Sequence, residues 1–119
     1  MEIVEDELSL LEVLTDKFSK EGFKVLRAKN GKDGLKVALT EHPDIILLDI
    51  IMPVMDGMTM LKKLREDEWG KDAKVIILTN LSDNEKTAQA LADGSNDYLV
   101  KSDWKIEDVV KKVEERLGQ

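Results

Sequence analysis

The sequence predicts an α/β fold in which a five-stranded parallel sheet is covered by helices on both faces. Short apolar runs alternate with amphipathic helical patterns, three of the runs are continuously apolar, and glycines separate many segments. A continuously apolar run is typical of a strand buried on both faces, as parallel strands under helices are. Alternation of strand and helix favours crossovers between parallel strands. The 119 residues are expected to form one domain over residues 1–119.

Five runs rich in β-branched residues or leucine are expected to form the strands. They are Ile3–Val4, Phe23–Ala28, Ile45–Asp49, Lys74–Thr79 and Tyr98–Lys101. Two strand orders remain open at this point, that of half a Rossmann fold and the flavodoxin-like order 2-1-3-4-5. In both orders, ligands bind at the carboxyl ends of the strands, where the strand order reverses.

Five helices are expected between and after these strands. Three of them show apolar stripes at helical spacing: Leu11, Leu14 and Phe18; Leu35, Ala38 and Leu39; and Ile106, Val109, Val110, Val113 and Leu117. Another helix is expected to begin near Asp83, because Ser82–Glu85 has the spacing of an N-terminal capping box.

Composition argues against several classes of function. The chain has no cysteine and one histidine, which excludes a thiolate zinc site, thiol catalysis and a multi-histidine metal centre. Its formal net charge of −7 argues against sequence-independent binding of nucleic acid, which needs clustered Lys and Arg. No apolar run approaches the ~20 residues that span a bilayer. The acidic N-terminus is unlike a secretion signal. The sequence therefore predicts a cytoplasmic protein with no direct contact to nucleic acid or membrane.

Polar and charged residues stand at the predicted carboxyl ends of four strands. Glu5 and Asp6 end the first strand, Asp49 the third, Thr79 the fourth and Lys101 the fifth. In the order 2-1-3-4-5, these strands would bring three carboxylates, a hydroxyl and an ammonium to one rim. Close carboxylates repel one another unless a cation compensates their charge. Oxygen ligands without thiolate or imidazole favour Mg²⁺ or a similar ion.

Such a rim suits the formation of an aspartyl phosphate. A metal ion that bridges Asp49 and a phosphoryl group would favour attack by the carboxylate on phosphorus. Lys101 could neutralise a phosphoryl oxygen, and Thr79 could donate a hydrogen bond to one. Each residue alone has an ordinary structural interpretation, as a helix cap, a strand residue or a surface lysine. Their joint placement at four strand ends is what indicates a site.

Four segments, in order, resemble the receiver domain of two-component response regulators, and the resemblance covers essentially the whole chain. They are Val4–Glu7, Pro43–Gly57, Val75–Thr79 and Gly94–Lys101. The resemblance implies a flavodoxin-like (βα)5 fold, a doubly wound parallel sheet of order 2-1-3-4-5. It also implies a signalling switch that catalyses only its own phosphorylation and dephosphorylation, and not an enzyme that acts on an external substrate.

The resemblance implies a metal site and a phosphoacceptor. Asp49 would accept the phosphoryl group. Glu5 and Asp6 would hold Mg²⁺ together with Asp49 and the backbone carbonyl of Ile51. Gly57 would shape the loop beyond the acceptor.

The resemblance also implies a switch. Lys101 would bind the phosphoryl group, Thr79 would be the switch hydroxyl and Tyr98 the switch aromatic residue. The donor would be a sensor histidine kinase, a phosphotransfer protein or a small acyl phosphate. Phosphorylation would change the surface of helix four, strand five and helix five, which would bind a downstream effector protein or a second copy of the chain. No output domain is expected after Leu117.

Three features depart from the family pattern. Ser102 stands where proline usually follows the lysine, so the bond before it would be either a costly cis bond or a trans bond with a shifted loop. The first strand is short, and Glu2 occupies a position where an apolar residue is common. Ile51 and Leu81 are apolar and cannot orient a water molecule, which predicts slow loss of phosphate.

Two other function classes remain open. A metal-dependent phosphohydrolase of the haloacid-dehalogenase type would need a second aspartate two residues after its nucleophile, where Ile51 stands. A pseudo-receiver or an engineered scaffold would bind a protein partner without phosphorylation, and Ser102 and the short first strand favour it. A nucleotide or flavin site is disfavoured, because acidic residues follow the first strand where a glycine-rich phosphate loop would lie.

Overall fold

One sheet of five parallel strands forms the centre of the computed structural model, which describes residues 1–79, 94, 97–100 and 105–118. The strands are β1 (Glu2–Val4), β2 (Leu26–Ala28), β3 (Ile46–Asp49), β4 (Val75–Thr79) and β5 (Asp97–Val100). Their spatial order is β2-β1-β3-β4-β5. Of the two orders that the apolar pattern allowed, the flavodoxin-like one is confirmed.

Four α-helices lie within the described part of the chain. They are α1 (Leu8–Lys20), α2 (Gly31–Glu41), α3 (Gly57–Arg65) and the C-terminal helix (Ile106–Leu117), and a short 3₁₀ helix spans Gly70–Asp72. The helix expected to begin near Asp83 lies outside the described residues. No helix of the described residues has the length and apolar character needed to cross a membrane.

Two hydrophobic clusters, one on each face, attach the helices to the sheet. Alternate residues of a strand point to opposite faces, so neighbouring strand residues belong to different clusters. The cluster under α2 and α3 includes Val4, Ile46, Leu48, Ala38 and Met60. The cluster under α1 and the C-terminal helix includes Ile3, Leu47, Ile76, Phe18 and Val113. Burial on both faces is what the continuously apolar runs predicted.

The second strand begins later than its apolar run predicts, at Leu26 and not at Phe23. The reason is that Phe23 takes part in the end of α1. Its N–H donates to the Phe18 carbonyl at 2.9 Å, and the two rings meet edge to face with centroids 5.4 Å apart. Gly22, with φ of 93°, supplies the left-handed residue that this helix ending requires.

The carboxyl ends of β1 and β3 are adjacent at one edge of the sheet. Val4 of β1 pairs with Leu48 of β3, one residue before Asp49. The helix that follows β1 packs on one face of the sheet, and the helix that follows β3 packs on the other. This edge is therefore the crevice at which open α/β sheets bind ligands.

Candidate functional site

Three carboxylates meet in the crevice between the ends of β1 and β3. Glu5, Asp6 and Asp49 each contribute one oxygen, and these oxygens all lie within 4.8 Å of one another. Glu5 is fully buried and Asp49 is 5% exposed, whereas Asp6 faces solvent. The cluster is therefore exposed to solvent at Asp6 and buried at Glu5 and Asp49.

Backbone donors orient the two buried carboxylates. The N–H of Ile50 donates to Oδ1 of Asp49 at 2.9 Å, directly after the strand ends. The N–H of Glu7 donates to Oε2 of Glu5 at 3.1 Å. The N–H of Glu5 itself donates to the Ala28 carbonyl at 3.0 Å, which holds this residue at the edge of the sheet. Backbone groups of adjacent residues therefore orient both carboxylates, and the neighbouring strand holds the backbone of Glu5.

The loop from β3 to α3 is tightly closed behind Asp49. The N–H of Gly57 donates to the Ile50 carbonyl at 2.7 Å. A Cβ at Gly57 would lie 2.0 Å from the Asp49 carbonyl oxygen, so this close approach requires glycine. Asp56 caps α3 by accepting a hydrogen bond from the N–H of Thr59 at 2.8 Å. These contacts give the physical reason for the role that the resemblance implied for Gly57.

The cluster has the chemistry of a magnesium site. Mg²⁺ takes oxygen ligands at about 2.0–2.1 Å in octahedral geometry and retains several waters. Ligand oxygens in such a sphere lie about 3–4.2 Å apart. Three oxygens within 4.8 Å need only a small contraction to fit. The exposed side of the cluster, at Asp6, leaves room for the waters.

The remaining predicted site residues are placed in part. Thr79 ends β4, and its backbone pairs with Val100 of β5. Tyr98 lies on β5 and is 39% exposed. Ile51 follows Asp49 by two residues, in the closed loop, and its side chain is exposed. Lys101 lies outside the described residues, as do Ser102 and Leu81. The roles of these residues stay predictions.

A fourth acidic residue, Glu2, is buried at the opposite end of β1. Its side chain is fully buried, and neither carboxylate oxygen has a hydrogen-bond partner. Burial raises the pKa of Glu2 to about 8, although the Met1 ammonium lowers it. The sequence marked the position of Glu2 as one where an apolar residue is common, and the structure shows that Glu2 is buried there, in surroundings that favour the protonated carboxyl.

The chain belongs to the response regulator receiver domain family, whose sequence model matches residues 2–114. It is 35% identical over 108 residues to the response regulator PleD of Caulobacter vibrioides, an alignment that covers 91% of this chain and 23% of PleD. It spans about 40% of the length of the ycf27 transcriptional regulators that it also matches. Receiver domains are signalling switches and not classical enzymes.

Solved structures of receiver domains share the whole fold. The receiver domain of the Francisella response regulator 1452 superimposes with a TM-score of 0.89 at 30% identity and covers 98% of this chain and 94% of its own. The CheX–CheY–BeF3–Mg complex of Borrelia burgdorferi matches with a TM-score of 0.86 at 31% identity, over 96% of this chain and 85% of the other. The resemblance stated from the sequence is therefore confirmed.

Proposed function

We propose that this chain is a phosphoacceptor switch of a two-component or phosphorelay system, and that Asp49 is the acceptor. The observation that carries the proposal is the meeting of the Glu5, Asp6 and Asp49 oxygens at the crevice of a receiver fold. A sensor histidine kinase or a phosphotransfer protein would be the donor. The chain would act on no external substrate, and we place it in the cytoplasm.

The proposed reaction is one phosphoryl transfer. A carboxylate oxygen of Asp49 attacks phosphorus, the bond from phosphorus to the donor's leaving group breaks, and the leaving group departs with the electron pair. Mg²⁺, when bound, would supply positive charge for the phosphoryl oxygens. Glu5 and Asp6 would hold the ion together with Asp49 and the Ile51 carbonyl. The product is an aspartyl phosphate.

Three residues beyond the acidic cluster would respond to the new charge. We propose that Lys101 binds the phosphoryl group and that the Thr79 hydroxyl moves towards it. Tyr98 pairs with Ile77 on the neighbouring strand and is 39% exposed. In the proposed switch its ring would follow the Thr79 hydroxyl inward. The surface around β5 and the C-terminal helix would then favour an effector protein or a second copy of the chain. The phosphoryl group can shift this equilibrium only by its differential affinity for the two arrangements.

Exposed apolar side chains next to the cluster support a protein donor. Leu8 begins α1 and is 55% exposed, and Ile51 and Val54 in the loop after β3 are 56% and 77% exposed. Val54 also has a φ of 68°, which is costly for a β-branched residue. A partner surface that covers these apolar groups together with the acidic cluster would remove them from water. The Borrelia neighbour was solved in a complex with CheX, which also fits a switch read by a partner.

The first experiment measures phosphorylation directly. The purified chain is incubated with acetyl phosphate and MgCl₂, and its intact mass is recorded. We expect the mass of one added phosphoryl group, and no addition when EDTA replaces Mg²⁺. If a folded chain that binds Mg²⁺ acquires no phosphoryl group, the proposal is wrong. The function would then be phosphorylation-independent binding of a protein partner.

The side chain at position 51 is expected to control how long the phosphoryl group persists. Ile51 is exposed beside the acceptor and offers no group that could orient a water molecule for attack on phosphorus. We expect Ile51→Asn to lose phosphate at least about tenfold faster than the parent, because the amide can hold such a water. Release of inorganic phosphate from the phosphorylated chain measures the rate.

The matched control is Val54→Asn, which places the same side chain three residues further along the same loop. Asparagine tolerates the left-handed backbone at this position, so the fold should not suffer. We expect Val54→Asn to lose phosphate at the same rate as the parent. Equal rates for Ile51→Asn and the parent, both with lifetimes of seconds, would contradict the predicted slow loss.

A further inference from the structure

The start of α2 touches the loop between β3 and α3, which carries one proposed metal ligand, the Ile51 carbonyl. Gly31 is the first residue of α2, and its N–H donates to the Met55 carbonyl at 2.8 Å. The first N–H groups of a helix have no partner within the helix and are free for such contacts. Asn30 fixes where the helix begins, because its side chain accepts a hydrogen bond from the N–H of Asp33 at 2.8 Å.

The contact leaves no space for a side chain at position 31. A Cβ there would lie 2.4 Å from the carbonyl oxygen of Met55 and 2.9 Å from that of Asp56. Both atoms belong to the backbone and cannot rotate away. The backbone of Gly31 is not in the left-handed region, so backbone conformation is not the reason for glycine here. The reason is the close approach of the two carbonyl oxygens.

The same contact ties the loop to another part of the fold. Two backbone bonds are local: Gly57 N–H to the Ile50 carbonyl at 2.7 Å and Met55 N–H to the Pro53 carbonyl at 2.7 Å. Among the backbone hydrogen bonds of the described residues, the Gly31 bond is the one that joins the loop to an element outside β3 and α3. A loop that is held both by its own hydrogen bonds and by α2 has less conformational entropy to lose when an ion binds.

We propose that Gly31 is a positioning residue of the magnesium site, which holds the loop after β3 at the spacing that the ion requires. The inference rests on the proposed function, because in that proposal the loop contributes the Ile51 carbonyl to the site. A side chain at Gly31 would push the Met55 carbonyl outward and move Ile51 with the loop. Supporting groups beyond the ligands themselves commonly change metal affinity 10–100-fold.

The test compares Gly31→Ala with Gly22→Ala by calorimetric titration of MgCl₂. Gly22 lies in the turn after α1, where an added Cβ has no atom within 4 Å but its φ of 93° is strained. Both variants should lose unfolding free energy in urea. Only Gly31→Ala should bind Mg²⁺ about tenfold more weakly than the parent. Parental affinity in Gly31→Ala would overturn the inference alone, whereas a parent that binds no Mg²⁺ would overturn the proposed function as well.

A second measurement needs no variant. Coupling between two sites is reciprocal, so Mg²⁺ should strengthen the bond of the Gly31 N–H. Amide hydrogen exchange in the unmodified chain, with and without saturating MgCl₂, compares Gly31 with Gly34, whose N–H donates to the Asn30 carbonyl at 2.9 Å in the same helix. We expect exchange at Gly31 to slow at least about tenfold more than at Gly34. Equal slowing at both amides would overturn the inference.

Discussion

Asp49→Asn is expected to abolish the phosphoryl adduct that acetyl phosphate and Mg²⁺ produce in the parent. The amide that replaces the carboxylate is a poor nucleophile and carries no charge for the metal ion. The Ile50 N–H can still donate to the side-chain oxygen, as it does at 2.9 Å to Oδ1 of Asp49, so the fold should be retained. Intact mass after incubation measures the loss, and circular dichroism checks the fold.

Asp44→Asn is the matched control, since Asp44 is an exposed aspartate before β3, at the opposite end of the strand. We expect it to take up one phosphoryl group like the parent. An adduct of the same size in Asp49→Asn would show that another residue is the acceptor.

Asp49→Asn should also change stability in a way that depends on the metal. Without Mg²⁺, Glu5 and Asp6 lose a like charge within 4.8 Å, a repulsion of about 1–3 kcal/mol. Unfolding in urea should therefore be harder for the variant in EDTA. In MgCl₂ the advantage should shrink or reverse, because the parent gains more from the bound ion.

Glu2→Met is expected to stabilise the protein by several kcal/mol at about pH 8. Glu2 shares the strand face of Val4, and its carboxyl is fully buried without a hydrogen-bond partner. Methionine has similar length and no group that must leave water. It replaces an acid that must either be protonated or be buried as an ion when the chain folds.

The pH dependence follows from the pKa of Glu2, which is raised from 4.5 to about 8 in the folded chain. Below about pH 4.5 the carboxyl of Glu2 is protonated in both the folded and the unfolded chain, so its titration does not change the free energy of unfolding. Between these values the unfolded state loses the proton first, so the free energy of unfolding falls with rising pH by about 1.4 kcal/mol per unit. The fall ends above pH 8 and amounts to about 5 kcal/mol.

This effect is measured by urea unfolding at about pH 5 and pH 8. The proteins compared are the parent, Glu2→Met, Glu2→Gln and Glu115→Met. Both substitutions of Glu2 should remove the loss between the two pH values. Glu2→Gln should gain less, because its amide is buried without partners. Glu115→Met, at an exposed position of the C-terminal helix, should follow the parent. A parental loss of stability in Glu2→Met would show that Glu2 does not titrate as the structure indicates.

The sequence by itself determined where the strands lie and which acids end them. Continuous apolar runs located β3 and β4 to within one residue at each end, because strands buried on both faces cannot contain polar residues without cost. Glu5, Asp6 and Asp49 were found for a related reason. Parallel strands bring their carboxyl ends to one edge of the sheet, so carboxylates that directly follow two such strands lie together. Packing alone does not require such a group of acids, and it therefore indicates a site.

The tertiary structure decided what depends on residues far apart in the chain. The apolar pattern is the same for both strand orders, so only the pairing of β1 with β2 and β3 distinguished them. The start of β2 was displaced because Phe23 packs on Phe18. The sequence marked the position of Glu2 as unusual but did not show that its carboxyl is buried without a partner. The 2.8 Å bond from Gly31 to Met55 had no local signal. Both arise because helices that pack on a sheet bring together groups that are far apart in the sequence, and a local sequence pattern cannot show such contacts.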